Sequence, residues 1–315
     1  MQKQTARPPG LRPHRGLTLV ELMVAMSVSL LLLAALTAVF INSNAARREI
    51  DLSAEVMENG RYASDVLTRE LAQAGFYGTL VTVPGTSLDL TKLCSNNLSE
   101  WTDSLGIPVF GVQPSDAKPS CLASRKSGTD AIFVQRVSTC TVGETDCPAE
   151  SNNFAYLQVS ECGTEYSSTP FVLARGGSGS GTFTLQNKTC SAAGSAPHRK
   201  LIRRIYYISE SNQLSYQEIG LTTNPAPVVL VDGIEDLQVE YGIDGAPAAV
   251  DGSIDVFKAA PDATEWTNVI GLRVGVQALS SSSSRQAQPG TSDNLKRRVY
   301  NTFIPFAAPT LKRQS

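Results

Sequence analysis

The sequence predicts an α+β protein in which a long N-terminal helix, membrane-spanning in its first half, lies on a mostly antiparallel β-sheet domain with disulfide-tied loops. Three observations carry this. Residues 17–41 form a run of apolar and small residues with a single acid, residues 42–75 keep a helical spacing of apolar side chains, and the chain beyond Phe76 breaks into short alternating segments.

The first sixteen residues stand apart. They carry Lys3, Arg7, Arg12, His14 and Arg15, no acid, and Pro8, Pro9 and Pro13, which oppose a helix. A basic, unstructured stretch ahead of an apolar run reads as a targeting leader, held on the cytoplasmic side by its charge. The run 17–41 would span roughly 37 Å as a helix, enough to cross a bilayer with some tilt. No small-x-small cleavage site closes it, so the helix is expected to stay on the mature chain. One acid, Glu21, sits near its start. A carboxylate in hydrocarbon costs about 2.5–3.5 kcal/mol. Glu21 therefore either reaches water at the interface or meets a positive charge inside the membrane.

The helical spacing continues through Leu52, Val56, Ala63, Val66, Leu67, Leu71 and Ala74. Asn59-Gly60 is expected to interrupt or bend it, and Gly75 to cap it. Beyond it, strands are expected at 131–138, 154–160, 182–186, 201–209, 213–217, 269–279 and 298–306. Residues 228–244 should give two strands with a turn at "DGIED". In "VIGLRVGVQAL", Ile270, Leu272, Val274, Val276 and Ala278 share one face. "GGSGSG" (176–181), "TTNPAP" (222–227) and "SSSSS" (280–284) read as loops. The domain 76–315 divides by composition into a cysteine-containing region, 79–200, read as a subdomain, and a strand-rich region, 201–306.

All six cysteines follow the apolar run: Cys94, Cys121, Cys140, Cys147, Cys162 and Cys190. An even number in an exported domain reads as disulfides, and the short Cys140–Cys147 loop is the first pair to expect. A metal site is not expected, since no Cys-x-x-Cys is present and His198 is the single histidine beyond the leader.

The chain shows no catalytic constellation. His198, in "APHRK", reads as a solvated loop residue, and "GGSGSG" has the wrong register for a nucleophile elbow or a phosphate loop. No enzyme activity and no cofactor are expected. Asp232, Asp236, Asp251 and Asp255 are weak calcium candidates, because their spacing does not make an EF-hand and Asp-Gly turns explain them. The basic stretches "LIRRIYY" and "LKRRVY" read as solvated strand faces or edge protection. With a net charge of −2, no nucleic-acid partner is expected. "NLS" and "NKT" match the glycosylation sequon by chance.

Five stretches carry a resemblance. "RGLTLVELMVA" (15–25) resembles the processing signal of type IV pilins and type II secretion pseudopilins, with Leu17 where that family usually has phenylalanine. "RELAQAGFYG" (69–78), "LVDGIEDLQVEYGID" (230–244), "WTNVIGLRVGVQAL" (266–279) and "KRRVYNTF" (296–303) resemble the PilW family of minor pilins. Residues 79–200 carry no match. The resemblance implies a type IV pilin-like fold and cleavage by a prepilin peptidase between Gly16 and Leu17, with methylation of the new amino terminus. It implies that Glu21 offsets the amino terminus of a neighbouring subunit. It further implies a minor pilin of a tip or priming complex. Its partners would be other minor pilins, the major pilin and the inner-membrane assembly platform. The chain would pass once through the inner membrane, N-terminus cytoplasmic and domain periplasmic, and then reach the cell surface. A pseudopilin J-like role in type II secretion and a tip adhesin are the alternatives.

Overall fold

The computed structural model describes residues 16, 18–177, 181–191, 194–245, 250–284 and 293–307. The leader residues 1–15, Leu17, and parts of the "GGSGSG" and "DGAPAAVDGSID" stretches lie outside them. The chain divides into two compact units, Met1–Asp51 and Leu52–Ser315.

The N-terminal unit holds the first part of helix α1 (Leu19–Leu71). Its apolar side chains are exposed from Leu19 through Ile41. This part of the helix is long and apolar enough to cross a membrane. Its internal hydroxyls are satisfied within the helix. Ser27 Oγ donates to Met23 O (2.6 Å) and Thr37 Oγ1 to Leu33 O (2.7 Å), which removes two polar groups that hydrocarbon would penalise.

In the second unit the rest of α1 buries Leu52, Val56, Gly60, Ala63, Val66, Leu67 and Leu71, positions three or four apart and so on one face. The helix runs through Asn59-Gly60 without a break, contrary to the expected interruption. Gly60 is there for space: a Cβ at this position would overlap the Tyr300 ring. The Tyr300 hydroxyl donates to Met57 O at 3.3 Å, which fixes that ring across the helix. Gly60→Ala gains helix propensity but must displace the ring. The expected net effect is a loss of about 1–3 kcal/mol, read by chemical denaturation of the purified chain. After Leu71 the chain turns, and Gly75 takes the left-handed φ of +74° that ends the segment.

Two sheets follow, with every pairing antiparallel. The seven-stranded sheet holds β1 (Val109–Val112), β2 (Ala131–Val137), β3 (Ala155–Val159), β4 (Phe171–Arg175), β5 (His198–Ile208), β6 (Gln213–Glu218) and β7 (Val228–Asp232). Its order is β1-β2-β5-β3-β4, with β6 on β5 and β7 on β6. The four-stranded sheet is β11 (Arg297–Pro305), β10 (Val269–Leu279), β8 (Ile234–Ile243) and β9 (Val256–Lys258), in that order. One hydrophobic core runs from Val56 of the helix through both sheets to Phe306. The expected face of β10 is buried as read, from Ile270 to Ala278.

Four expectations are corrected. Residues 182–186 form no strand, only an isolated bridge from Gln186 to Ser195, because the Gln158 side chain inserts beside it: its Oε1 accepts from Leu185 N (3.0 Å) and its Nε2 donates to Ala196 O (2.7 Å). "DGIED" is not a hairpin turn. Gly233 alone separates β7 from β8, at φ +69°, and sends the two strands into different sheets. The cysteine-containing region makes no subdomain: β1–β4, all from 79–200, pair into the sheet of β5–β7. Two short helices, α2 (Leu98–Asp103) and α3 (Gly163–Tyr166), lie in that region where no helical period was read.

Candidate assembly site

The N-terminal site is built from Gly16, Leu17, Thr18 and Glu21. Thr18 precedes the first helical residue, and Glu21 stands three positions on. The two form a reciprocal cap: Glu21 Oε2 accepts from Thr18 N (2.9 Å) and Thr18 Oγ1 (3.0 Å), while Thr18 Oγ1 accepts from Glu21 N at 3.3 Å. The acid inside the apolar run thus caps the start of its own helix. The Thr-x-x-Glu spacing of this cap is present in the sequence. Glu21 is exposed, so its carboxylate is free to exchange this local role for an external cation. Leu17 lies outside the described residues.

In the second unit, a single carboxylate ties α1 to the seven-stranded sheet. Glu70 Oε2 accepts from Arg136 Nη2 (3.2 Å), Arg204 Nη1 (3.2 Å) and Tyr206 Oη (2.9 Å). Burial alone would raise the Glu70 pKa. The Tyr206 hydroxyl and the two guanidinium groups outweigh it and hold the carboxyl below its ordinary range. Arg204 also reaches Glu218 Oε2 at 3.6 Å, which in turn holds Lys200.

The basic stretches are therefore not solvated faces. Arg203 is 1% exposed, its guanidinium 4.7 Å from the Trp101 ring and 4.9 Å from the Phe133 ring. Burial pushes its pKa down to about 9, against the opposing pull of Tyr77 and Glu100. Arg297 is held by Glu235 (2.6 Å) and Asp293 (2.6 Å). Of these arginines, only Arg298 is exposed. His198 is likewise no loop residue. It opens β5, stacks on Phe183 at 4.3 Å between ring centroids, and bonds to the Glu150 carboxylate.

The six cysteines form three disulfides, Cys94–Cys121, Cys140–Cys147 and Cys162–Cys190. The expected short-loop pair is among them, and no free cysteine remains. Denatured protein from the oxidising compartment should give no reaction with a thiol reagent before reduction; reactive thiols would refute the pairing.

The calcium candidates are not brought together. Asp232 accepts from Gln213 Nε2 (2.7 Å), Asp236 from its neighbour Leu237 N (2.8 Å), Asp251 from Ser253 N (2.8 Å) and Asp255 from Gly245 N (2.9 Å). Each serves a turn or a strand. Among the described residues, no three His, Cys, Asp or Glu side chains gather as metal ligands. Asn97 and Asn187, the two sequon asparagines, accept from the backbone two residues on, at 3.0 Å each, and so also act as turn formers.

Two families match this chain. The prokaryotic N-terminal methylation motif matches residues 11–37, which include Gly16, Glu21 and most of the apolar run. The Type IV Pilus-assembly protein W family matches residues 205–307, from β5 to the end of β11. Among solved structures, a type IV-like pilin from Thermus thermophilus aligns over 82% of this chain and 98% of its own, at 11% identity and a TM-score of 0.35. No curated protein matches. With a methylation motif at the start of an exposed apolar helix and the matched strands at the other end, the chain is similar to the PilW family of type IV pilus-assembly proteins over residues 205–307.

Proposed function

We propose that this chain is a minor pilin working in a tip or priming complex that initiates pilus assembly. The observation that carries the reading is the exposed apolar half of α1 with one acid at its start. Such a helix is stable only in a membrane or against other apolar helices. In this reading the chain crosses the inner membrane once, N-terminus cytoplasmic and β domain periplasmic. Prepilin peptidase cuts between Gly16 and Leu17 and methylates the new terminus. Glu21 then leaves its Thr18 cap for the amino terminus of a neighbouring subunit. The carboxylate's desolvation penalty thereby favours the packed state over the lone helix. Other minor pilins, the major pilin and the assembly platform are its partners, and its role is structural rather than catalytic.

The test compares cells lacking the chain with cells carrying it again, measuring major pilin sheared from the surface beside secreted enzyme activity. The reading expects surface pili to be lost and restored, with secretion unchanged. Normal pili with lost secretion would move the protein to the pseudopilin J-like class. Normal levels of both, with attachment lost, would make it a tip adhesin.

A further inference from the structure

One edge of β8 is closed by a turn rather than by a strand. β10 pairs with β8 along one side, and β9 reaches only Tyr241–Ile243 on the other. The turn 126–130, which leads into β2 of the seven-stranded sheet, covers residues 235–239 of that side. Lys126 Nζ donates to Glu235 O (3.0 Å), Asp130 N to Leu237 O (2.9 Å), and Val239 N to Asp130 Oδ2 (2.8 Å). Asp130 thus joins the two sheets, its side chain accepting where a backbone carbonyl would. It is 3% exposed, and its other oxygen, Oδ1, has no hydrogen-bond partner among the described residues. The groups around it leave its charge unanswered. Arg125 gives its Nη2 to the carbonyls of Val112, Gln113 and Thr129, and makes no ion pair with Asp130. Asp116 and Asp236 add negative charge nearby, and the Tyr241 hydroxyl is buried without a hydrogen-bond partner. Asp130 also borders a cavity of about 690 Å³, whose lining includes Glu240, Arg273 and Asn301. These three are exposed, so the cavity opens to water, and Glu240 and Arg273 offset each other at 3.6 Å.

We propose that Asp130 is a pH-sensitive latch between the two sheets. Uncharged, it stays on Val239 N and keeps the edge of β8 closed; ionised, it turns to water in the cavity and releases that edge. A carboxylate with one buried oxygen unpaired is costly, and a proton on that oxygen removes the charge. Burial pushes the Asp130 pKa up to about 6, against the Val239 N–H and the Arg125 guanidinium, while Asp236 and Asp116 add to the rise. The cavity lies beside the latch, so release needs the rotation of one side chain and no unfolding of β2. The folded value stands above the ordinary aspartate range, near ~3.9. The stability that the uncharged latch supplies is therefore full below that range and lost as pH rises through about 6. Glu70 acts with the opposite sign and at lower pH, since its own pKa is lowered. The latch is independent of the assembly reading.

The test follows amide hydrogen exchange of the purified full chain in detergent micelles at pH 5 and pH 7, corrected for the intrinsic pH dependence of exchange. The Val239 amide, resolved within the β8 peptide, is expected to exchange about tenfold faster at pH 7 than at pH 5. At both values it should exchange faster than the amides of β10, which the latch does not hold. Asp130→Asn keeps an oxygen for Val239 N and cannot ionise, so the rise should disappear. The ratio of the wild-type folding constant to that of Asp130→Asn, from chemical denaturation, should fall about tenfold over the same interval. A Val239 rate indifferent to pH, or the same rise in Asp130→Asn, would overturn the inference. So would equal exchange of Val239 and β10, which would make Asp130 a buried acid released only by global unfolding. The wild-type series decides the matter by itself should the variant fail to fold, and each of these outcomes leaves the assembly reading standing.

Discussion

Glu21→Ala is expected to reduce surface pili to the level of cells lacking the chain, without loss of the protein from the membrane. Removing a carboxylate from the apolar run makes insertion easier by about 2.5–3.5 kcal/mol, so the variant should accumulate normally. The loss falls on assembly, where the neighbour's amino terminus is left unpaired in a dry environment at a cost of about 3–5 kcal/mol. The cap is a competing explanation, since Glu21 also bonds Thr18. Its loss is worth only about 1 kcal/mol. Two further variants separate the two roles. Thr18→Val removes the hydroxyl half of the cap and keeps the acid, and should leave pili within about twofold of wild type, since about 1 kcal/mol is small beside the ion pair. Glu21→Gln keeps a capping amide and removes the charge, and should fail as alanine does. Pili lost in Thr18→Val but retained in Glu21→Gln would assign the site to helix initiation instead.

Glu70→Ala is expected to be the most destabilising single change outside the apolar core. The side chains of Arg136 and Arg204 are only 10% and 20% exposed, so removing Glu70 takes a shared partner from two largely buried cations. A loss of about 3 kcal/mol is expected, a drop of roughly 8 °C in the unfolding midpoint of a domain this size. The neighbouring pair Arg69–Asp65, 63% and 62% exposed, should cost less than about 0.5 kcal/mol when broken. The pH dependence has a definite sign. The folded Glu70 pKa is lowered, so its contribution is present above the ordinary glutamate range, near ~4.3, and fades as pH falls through the folded value. Stability of the wild type should therefore decline more steeply below about pH 5 than that of Glu70→Gln. Parallel curves would show that Glu70 is not held as the geometry requires.

The sequence was most legible where one physical requirement acts on consecutive residues. The apolar run, the buried stripe from Leu52 to Leu71 and the alternating face of β10 each repeat a single demand along the chain. β1 escaped because its four residues are all buried and show no alternation. The 182–186 segment misled because its pattern is a strand's while its hydrogen bonds scatter, Leu185 N to the Gln158 side chain and Gln186 N to the Glu165 side chain. The basic stretches were misread for a related reason. Arg203 and Arg204 are adjacent, so they point to opposite faces of β5. One enters a cage of aromatic rings, and the other meets an acid more than 130 residues away in sequence. Partners at that distance leave no local trace. The Thr18–Glu21 cap, by contrast, is written in four neighbouring residues. The packing of Tyr300 on Gly60 is not, since it requires helix and strand to be brought together.

The most direct measurement is the intact mass of this chain recovered from sheared pili. A chain that begins at N-methyl-Leu17, present in that fraction in cells with the peptidase, is the predicted result. A chain that still begins at Met1, or one absent from the sheared filaments and confined to the membrane, would contradict the account.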